Sequence, residues 1–204
     1  MTDTAARLRT RAKLLGVAVP AALEAHLAAY FDLLFRWNAK INLTSLTEPD
    51  AAVDRLLLEP VAATLEFPQG AELIDLGSGG GSPAIPIALA LASSRLVMVE
   101  SKTRKAAFLS EASRALDLRA IVENARFEEV ADRGAYAGQM SLVTIRAVRV
   151  DRQTLVTAKS FLKPRGMIAL FSPSAASPPD LPRDLRVLRI APLPGTSYLV
   201  LLGR

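Results

Sequence analysis

The spacing of apolar positions changes once along this chain, and the change divides it in two. Up to about residue 66 they recur at helical intervals. Leu23, Leu27, Tyr30, Phe31 and Leu34 make one apolar face. Asn38 to Thr44 interrupts it. Thr47-Glu48-Pro49-Asp50 then has the form of a capping box with proline in the first turn, predicting a helix through Val53, Leu57 and Val61. From residue 71, short apolar runs alternate with helical segments. Strands are expected at 72–76, 95–100, 119–123, 141–146, 166–171, 185–190 and 197–202, and helices at 84–92, 103–116 and 151–162. The early strands are continuous apolar runs, as in a parallel sheet covered on both faces. The last two flank Ala191-Pro192-Leu193-Pro194-Gly195, a turn suited to an antiparallel hairpin. Residues 172–182, rich in Pro, Ser and Ala, should form a loop. The pattern predicts an α/β fold: a doubly wound, mostly parallel sheet of seven strands. A helical extension over 1–66 is expected to pack on the core domain over 67–204.

Composition narrows the chemistry. With 204 residues, half of them hydrophobic, the chain can bury a large core. It has no cysteine, which excludes disulfides, thiolate metal sites and a Cys nucleophile and suits a reducing cytoplasm. No metal site is expected. No apolar run reaches the roughly 18 residues of a membrane span. Arg7, Arg9, Arg11 and Lys13 precede no signal-peptide core, so a cytoplasmic location is expected. The net charge is +5 with a sequence pI of about 9.9, which favours a polyanionic partner, most simply nucleic acid. A solvated basic surface is the plainer reading. The oligomeric state is not encoded in these patterns; a monomer is the expectation.

Residues 73–86, Leu-Ile-Asp-Leu-Gly-Ser-Gly-Gly-Gly-Ser-Pro-Ala-Ile-Pro, run from a strand into a glycine loop and a helix start. A dinucleotide loop needs Gly-x-Gly-x-x-Gly, but Ser82 and Pro83 follow Gly81 here; a P-loop would end in Gly-Lys-Ser/Thr. Asp75, Gly77, Gly79 and Gly81 at alternate positions match the loop that binds S-adenosylmethionine (AdoMet), which carries no phosphate and needs no lysine. Ser82 is expected to cap the next helix, with Pro83 at its first position. The free amides of that helix end would then suit the AdoMet carboxylate. Seven strands ending in a hairpin are the class I methyltransferase variant of the Rossmann-like sheet.

Residues after three further strands fit this cofactor. Glu100 ends the second strand, where a carboxylate can accept from both ribose hydroxyls. Phe127 and Glu128 follow the third strand, beside the expected adenine. Arg146 ends the fourth strand and could hold AdoMet or an anionic substrate group; it is the positioning candidate, and no catalytic base is assigned. There is no Asp/Asn-Pro-Pro-aromatic motif for exocyclic amine methylation and no Cys for cytosine C5. Guanine N7 presents a free lone pair, so transfer there needs alignment and desolvation only. The single His, His26, falls on the surface of the N-terminal helix. The basic clusters Lys102/Arg104/Lys105, Arg146/Arg149/Arg152 and Lys159/Lys163/Arg165 could track phosphates.

Together these residues resemble the bacterial glucose-inhibited-division protein B family. Trp37-Asn38 with Asn42-Leu43-Thr44 looks like its early signature, and Asp75 to Pro86 is similar to its glycine loop with Ala84 in place of a glycine. Lys105 with Phe108-Leu109, Arg126-Phe127-Glu128-Glu129 and Arg146-Ala147 resemble three further motifs. The resemblance implies an AdoMet-dependent methyltransferase acting on guanine N7 in 16S rRNA of the small ribosomal subunit. It places AdoMet contacts at Gly77, Ser82, Phe127-Glu128 and Arg146. The departures concern the acceptor side. The family's Arg-His-x-x-Asp-Ser reads Arg55-Leu56-Leu57-Leu58-Glu59-Pro60, its Leu-Lys-Gly reads Leu170-Phe171-Ser172, and its late Arg-His reads Ser197-Tyr198. An AdoMet methyltransferase on another RNA or small-molecule acceptor, and a non-catalytic RNA-binding relative, are the alternatives.

Overall fold

The computed structural model describes residues 2–204. Its sheet has seven strands: β1 (Glu72–Leu76), β2 (Arg95–Val99), β3 (Ala120–Glu123), β4 (Met140–Arg146), β5 (Leu162–Ser172), β6 (Arg186–Pro192) and β7 (Tyr198–Gly203). They lie in the order β3-β2-β1-β4-β5-β7-β6. The first five pair in parallel, and β7 runs antiparallel between β5 and β6. The order reverses between β1 and β4, so a crevice opens at their carboxyl ends, where ligands bind in such sheets.

Alternate side chains of each strand enter different layers, as the two-residue period requires. Leu73, Leu96, Met98, Leu142, Ala169, Leu199 and Leu201 join one hydrophobic cluster. Ile74, Leu76, Val97, Val99, Val143, Ile145, Ile168, Val200 and Leu202 join another. Both faces are covered, which is why these strands read as unbroken apolar runs.

Helices α1 (Thr2–Leu15) and α2 (Ala21–Ile41) belong to the first layer. Leu27, Tyr30, Phe31 and Leu34 of α2 are buried there, and each such burial is worth about 1.5–3 kcal/mol. The helix ends at Asn42, which takes a left-handed φ of 50°. The Asn38 side chain accepts from the amides of Leu43 and Thr44 at 2.6 and 2.8 Å and folds the following loop back. Trp37 meets Phe108 edge-on at 5.8 Å.

Helix α3 (Pro49–Val53) starts one residue later than its sequence suggests. Glu48, not Thr47, is the cap: its carboxylate accepts from Asp50 and Ala51 amides at 3.1 and 2.6 Å. One side chain with two acceptors satisfies two orphan donors of the first turn. The helix then widens into a π turn over Asp54–Leu58 before α4 (Glu59–Ala63).

The remaining helices are α5 (Ala84–Leu91), α6 (Thr103–Ala115), α7 (Phe127–Asp132) and α8 (Arg152–Phe161). Strand β5 begins at Leu162, four residues before its expected start, directly from the end of α8. No helix among the described residues is long and apolar enough to cross a membrane.

Candidate active site

The glycine loop leaves β1 and turns under the end of β2. The amides of Gly77 and Ser78 both donate to the Val99 carbonyl, at 2.9 and 3.0 Å. Gly77 has φ +76°, and a Cβ there would lie 2.5 Å from Cγ2 of Val148. Gly79 differs, because the nearest atom to a Cβ would be the Gly77 carbonyl at 3.8 Å. Its open side faces a cavity of about 540 Å³, a normal size for a small-molecule site. Gly80 forms the back of the loop, its carbonyl accepting from the Tyr30 hydroxyl at 2.6 Å.

The cavity is closed by the loop after α2 (Leu43 to Leu46), by Arg55 and Leu56, and by Glu100 to Lys102 with Lys105. Arg146, Ala147 and Val148 close it beyond β4. Of the residues singled out from sequence, Gly77, Gly79, Ser82, Glu100 and Arg146 come together in its wall.

Asp75, Gly81, Phe127 and Glu128 are not in that wall. Asp75 points into the first core layer, where Thr144 on β4 donates to its Oδ1 at 2.5 Å. Its Oδ2 is buried with no hydrogen-bond partner among the described residues, and burial pushes its pKa up to about 6. Gly81 answers to packing: a Cβ would lie 2.6 Å from Ile85 and 3.3 Å from Leu109. Phe127 packs against the second hydrophobic cluster. Glu128 on α7 has Arg126 at 3.6 Å as its ion-pair partner. The turn before them is tied to the site by Asn124, whose Nδ2 donates to the Glu100 carbonyl at 3.0 Å.

Two expected roles change in detail. Glu100 is buried, and its oxygens accept from the amides of Gly79 (2.9 Å) and Lys102 (2.7 Å). The carboxylate therefore braces the loop, and each oxygen retains a lone pair for a ligand hydroxyl. Ser82 does not cap α5; Pro83 holds that position, and Ser82 donates instead to the Leu56 carbonyl at 2.8 Å. The helix end is also poor in free amides. Pro83 and Pro86 have none, and those of Ile85 and Ile87 go to Gly81 and Pro83 carbonyls. Positive charge at the cavity comes from Arg55, Lys102, Lys105 and Arg146 side chains instead.

Arg146 is the most constrained of these. Its Nη1 donates to the Arg55 carbonyl at 2.6 Å and approaches Ser82 Oγ at 3.4 Å. Its Nη2 pairs with Glu59, and its guanidinium carbon lies 5.2 Å from the Phe171 ring centre. Side-chain exposures of 8% and 3% make Arg146–Glu59 a buried ion pair. Burial pushes the Glu59 pKa up and that of Arg146 down. A guanidinium nevertheless keeps its proton in proteins, and its charge beside Glu59 opposes the effect of burial by favouring the carboxylate.

The carbonyls that receive Arg146 and Ser82 are released by the π turn. The Glu59 amide bonds to Asp54, five residues back, and so leaves the Arg55 carbonyl free. Pro60 has no N–H to offer the Leu56 carbonyl. Two adjacent acceptors thus face the site, and π turns recur at functional sites. The sequence reading missed Glu59; the available signal was an acid held at the family's Asp position.

A second cavity, about 330 Å³, adjoins the first through Ala147 and Val148. Phe171, Val200 and the Pro173–Pro179 segment line it. The basic clusters divide by use. Lys159 pairs with Asp184 and Lys163 with Glu72. Lys102, Arg104, Lys105 and Arg55 carry no ion pair among the described residues. His26 is exposed on α2, its Nδ1 2.8 Å from the Ala22 carbonyl.

Comparison with known proteins gives this geometry a lineage. The chain is 34% identical over 161 residues to Ribosomal RNA small subunit methyltransferase G of Sorangium cellulosum, covering 76% of this chain and 66% of that one. With the protein of the same name from Xanthomonas axonopodis pv. citri it shares 37% over 149 residues, 72% of this chain and 68% of that one. The matched part spans 49% to 71% of the length of the curated relatives. A SAM-dependent methyltransferase from Aquifex aeolicus superposes with a TM-score of 0.60 at 14% identity, covering 78% of this chain and 95% of that one, and shares the class I, Rossmann-like fold. Residues 23–175 match the GidB family, rRNA small subunit methyltransferase G, and with this site and these relatives the chain belongs to that family.

Proposed function

We propose that this chain transfers the methyl group of AdoMet to N7 of a guanine in 16S rRNA of the small ribosomal subunit, in the cytoplasm. The observation that carries this reading is the cavity at the carboxyl ends of β1, β2 and β4. The glycine loop and Glu100 form one of its walls, and Arg146 with the N-terminal extension forms another. The residues fit AdoMet. Gly79 leaves the space a side chain would fill. Glu100 can accept from ribose hydroxyls, and Arg55, Lys102 and Lys105 offer charge to a carboxylate. Asn124 ties the turn before Phe127 and Glu128 to the Glu100 carbonyl, which supports a role for that turn beside the adenine.

AdoMet supplies an electrophilic methyl group on sulfonium. This chain's residues then have three tasks: to hold donor and acceptor in line, to exclude water, and to grip the RNA. Guanine N7 has a free lone pair, so no residue need take a proton. The cavity beside Phe171 is apolar and suits a flat base, and its contact with the first cavity at Ala147 and Val148 sets the line of transfer. Lys102, Arg104 and Lys105, which carry no ion pair among the described residues, can meet phosphates. The domain over 67–204 carries the transfer machinery, and the extension over 1–66 completes its wall.

Labelled methyl transfer from AdoMet to unmodified 30S particles, with mapping of the modified base, tests the acceptor. A single N7-methylguanine in 16S rRNA is expected; no transfer to particles or free 16S rRNA overturns it. Calorimetric titration with AdoMet tests the cofactor site separately. Gly79→Asp places a carboxylate in the cavity and should abolish binding, whereas unchanged affinity overturns the loop assignment.

A further inference from the structure

We infer that Glu59 is a positioning residue: presented by the π turn and Pro60, its carboxylate fixes the Arg146 guanidinium in the wall of the first cavity, next to the segment that the two cavities share. The inference rests on the methyl-transfer reading above for its activity arm only.

Four elements converge on one planar group. Glu59 at the start of α4 takes Nη2, the π-turn carbonyl of Arg55 takes Nη1, Ser82 of the glycine loop lies beside Nη1, and Phe171 of β5 lies against the guanidinium. Arg146 lines the first cavity and leads directly into Ala147 and Val148, which line both, while Phe171 against its guanidinium lines the second, so fixing this group fixes the start of the segment that the cavities share. A guanidinium donates in fixed in-plane directions, and an acceptor on each side of it defines its plane.

Stability alone does not account for the arrangement. A buried ion pair is commonly no better than a well-packed apolar pair of the same volume. What the pair adds is a single orientation. The local sequence is shaped to provide it. Glu59 reaches Arg146 from the turn where the helix widens, and Pro60 leaves the adjoining Leu56 carbonyl to Ser82. The extension thereby holds both Arg146 and the loop residue beside it, Ser82.

The test compares wild type, Glu59→Gln, Arg146→Lys and the double variant, in full-length protein. With 30S particles, Glu59→Gln should lower kcat by about tenfold to a hundredfold, the scale expected when a reacting pair is misaligned. Its AdoMet affinity by calorimetry should change by less than about threefold. The double variant should lose no more than Arg146→Lys alone, because Glu59 acts through Arg146. An independent arm uses nitrogen NMR of the arginine side chains. The Arg146 Nη signals should be resolved in wild type, where rotation is hindered, and merged in Glu59→Gln. Multiplicative losses in the double variant, or unchanged Arg146 signals in Glu59→Gln, overturn the inference. If wild type itself modifies no 30S particle, the acceptor reading falls while the NMR arm still decides the role of Glu59. Should Glu59→Gln fail to fold, Glu59→Asp retains the charge. It should keep resolved Arg146 signals with a smaller rate loss, and merged signals with an unimpaired rate would overturn the inference.

Discussion

The glycine loop and the π turn face each other across one cavity but hold their shapes by different means. The loop is bonded mostly to itself and to the next strand: Gly81 to Ser78, Gly77 and Ser78 to Val99. The π turn is held by partners far along the chain. Arg146 reaches Glu59 and Arg55 across 87 and 91 residues, and Ser82 reaches Leu56 across 26. The loop is a local solution to binding, whereas the π turn is a long-range device that gives the site its second wall. Damage to the loop should therefore reach the cofactor first, and damage to the turn should reach the fold and the alignment of the reactants.

The harshest test of this difference is Arg146→Ala. It leaves Glu59 as a buried charge without its partner, at a cost of about 3–5 kcal/mol. Chemical denaturation should show that loss, and a change under 1 kcal/mol would mean that the turn does not depend on the pair. On the loop side, Gly77→Ala forces a side chain into a positive φ against Val148, for about 2 kcal/mol. Adding Val148→Ala should recover the contact part of that loss but not the backbone part, as measured by unfolding midpoints.

A smaller effect belongs to the bond joining the two regions. Ser82→Ala removes the donor to the Leu56 carbonyl, for about 1–2 kcal/mol. Pro60→Ala supplies an amide for that carbonyl, so the cost of Ser82→Ala measured by denaturation should shrink in its presence. The smallest effect is read from pH. The Asp75 pKa of about 6 in the folded chain lies above its ordinary value of 3.8. The folded state thus binds this proton more tightly than the unfolded chain. The resulting stability is complete below the unfolded value and disappears as pH rises through about 6. Between pH 8 and pH 5 wild type should gain about 1 kcal/mol more than Asp75→Asn. Equal pH dependence in denaturation curves would show that the buried carboxyl is not perturbed by its site.

Much of the fold was legible because its signals are local. Strand β1 and helices α5 and α6 were placed to within a residue by apolar runs and their breaks. The end of the sheet followed from a proline-rich turn between two apolar runs. The misplaced cap at Thr47 and the start of β5 at Leu162, ahead of the expected 166, are failures of boundary, where the competing choices lie within one helical turn or depend on strand pairing. Within the site, Gly77, Gly79, Ser82, Glu100 and Arg146 converge as their positions at strand ends imply. Asp75 and Gly81 share the loop's spacing, yet they serve the core: adjacent residues of one motif face opposite ways, which spacing alone does not separate.

The sequence by itself determined the order of strands and helices, the two-sided core and the glycine loop, since each depends on residues close together in the chain. Only the tertiary structure decided what Ser82, Glu100 and Arg146 bond to, because those partners are backbone groups and a carboxylate brought in from distant segments. As site residues, the carbonyls of Arg55 and Leu56 carry no mark in a linear reading, and Glu59 carries only that of an acid at the family's Asp position. They become so when α3 and α4 fold across the sheet and the π turn, with Pro60 beside it, turns two helical acceptors toward the cavity.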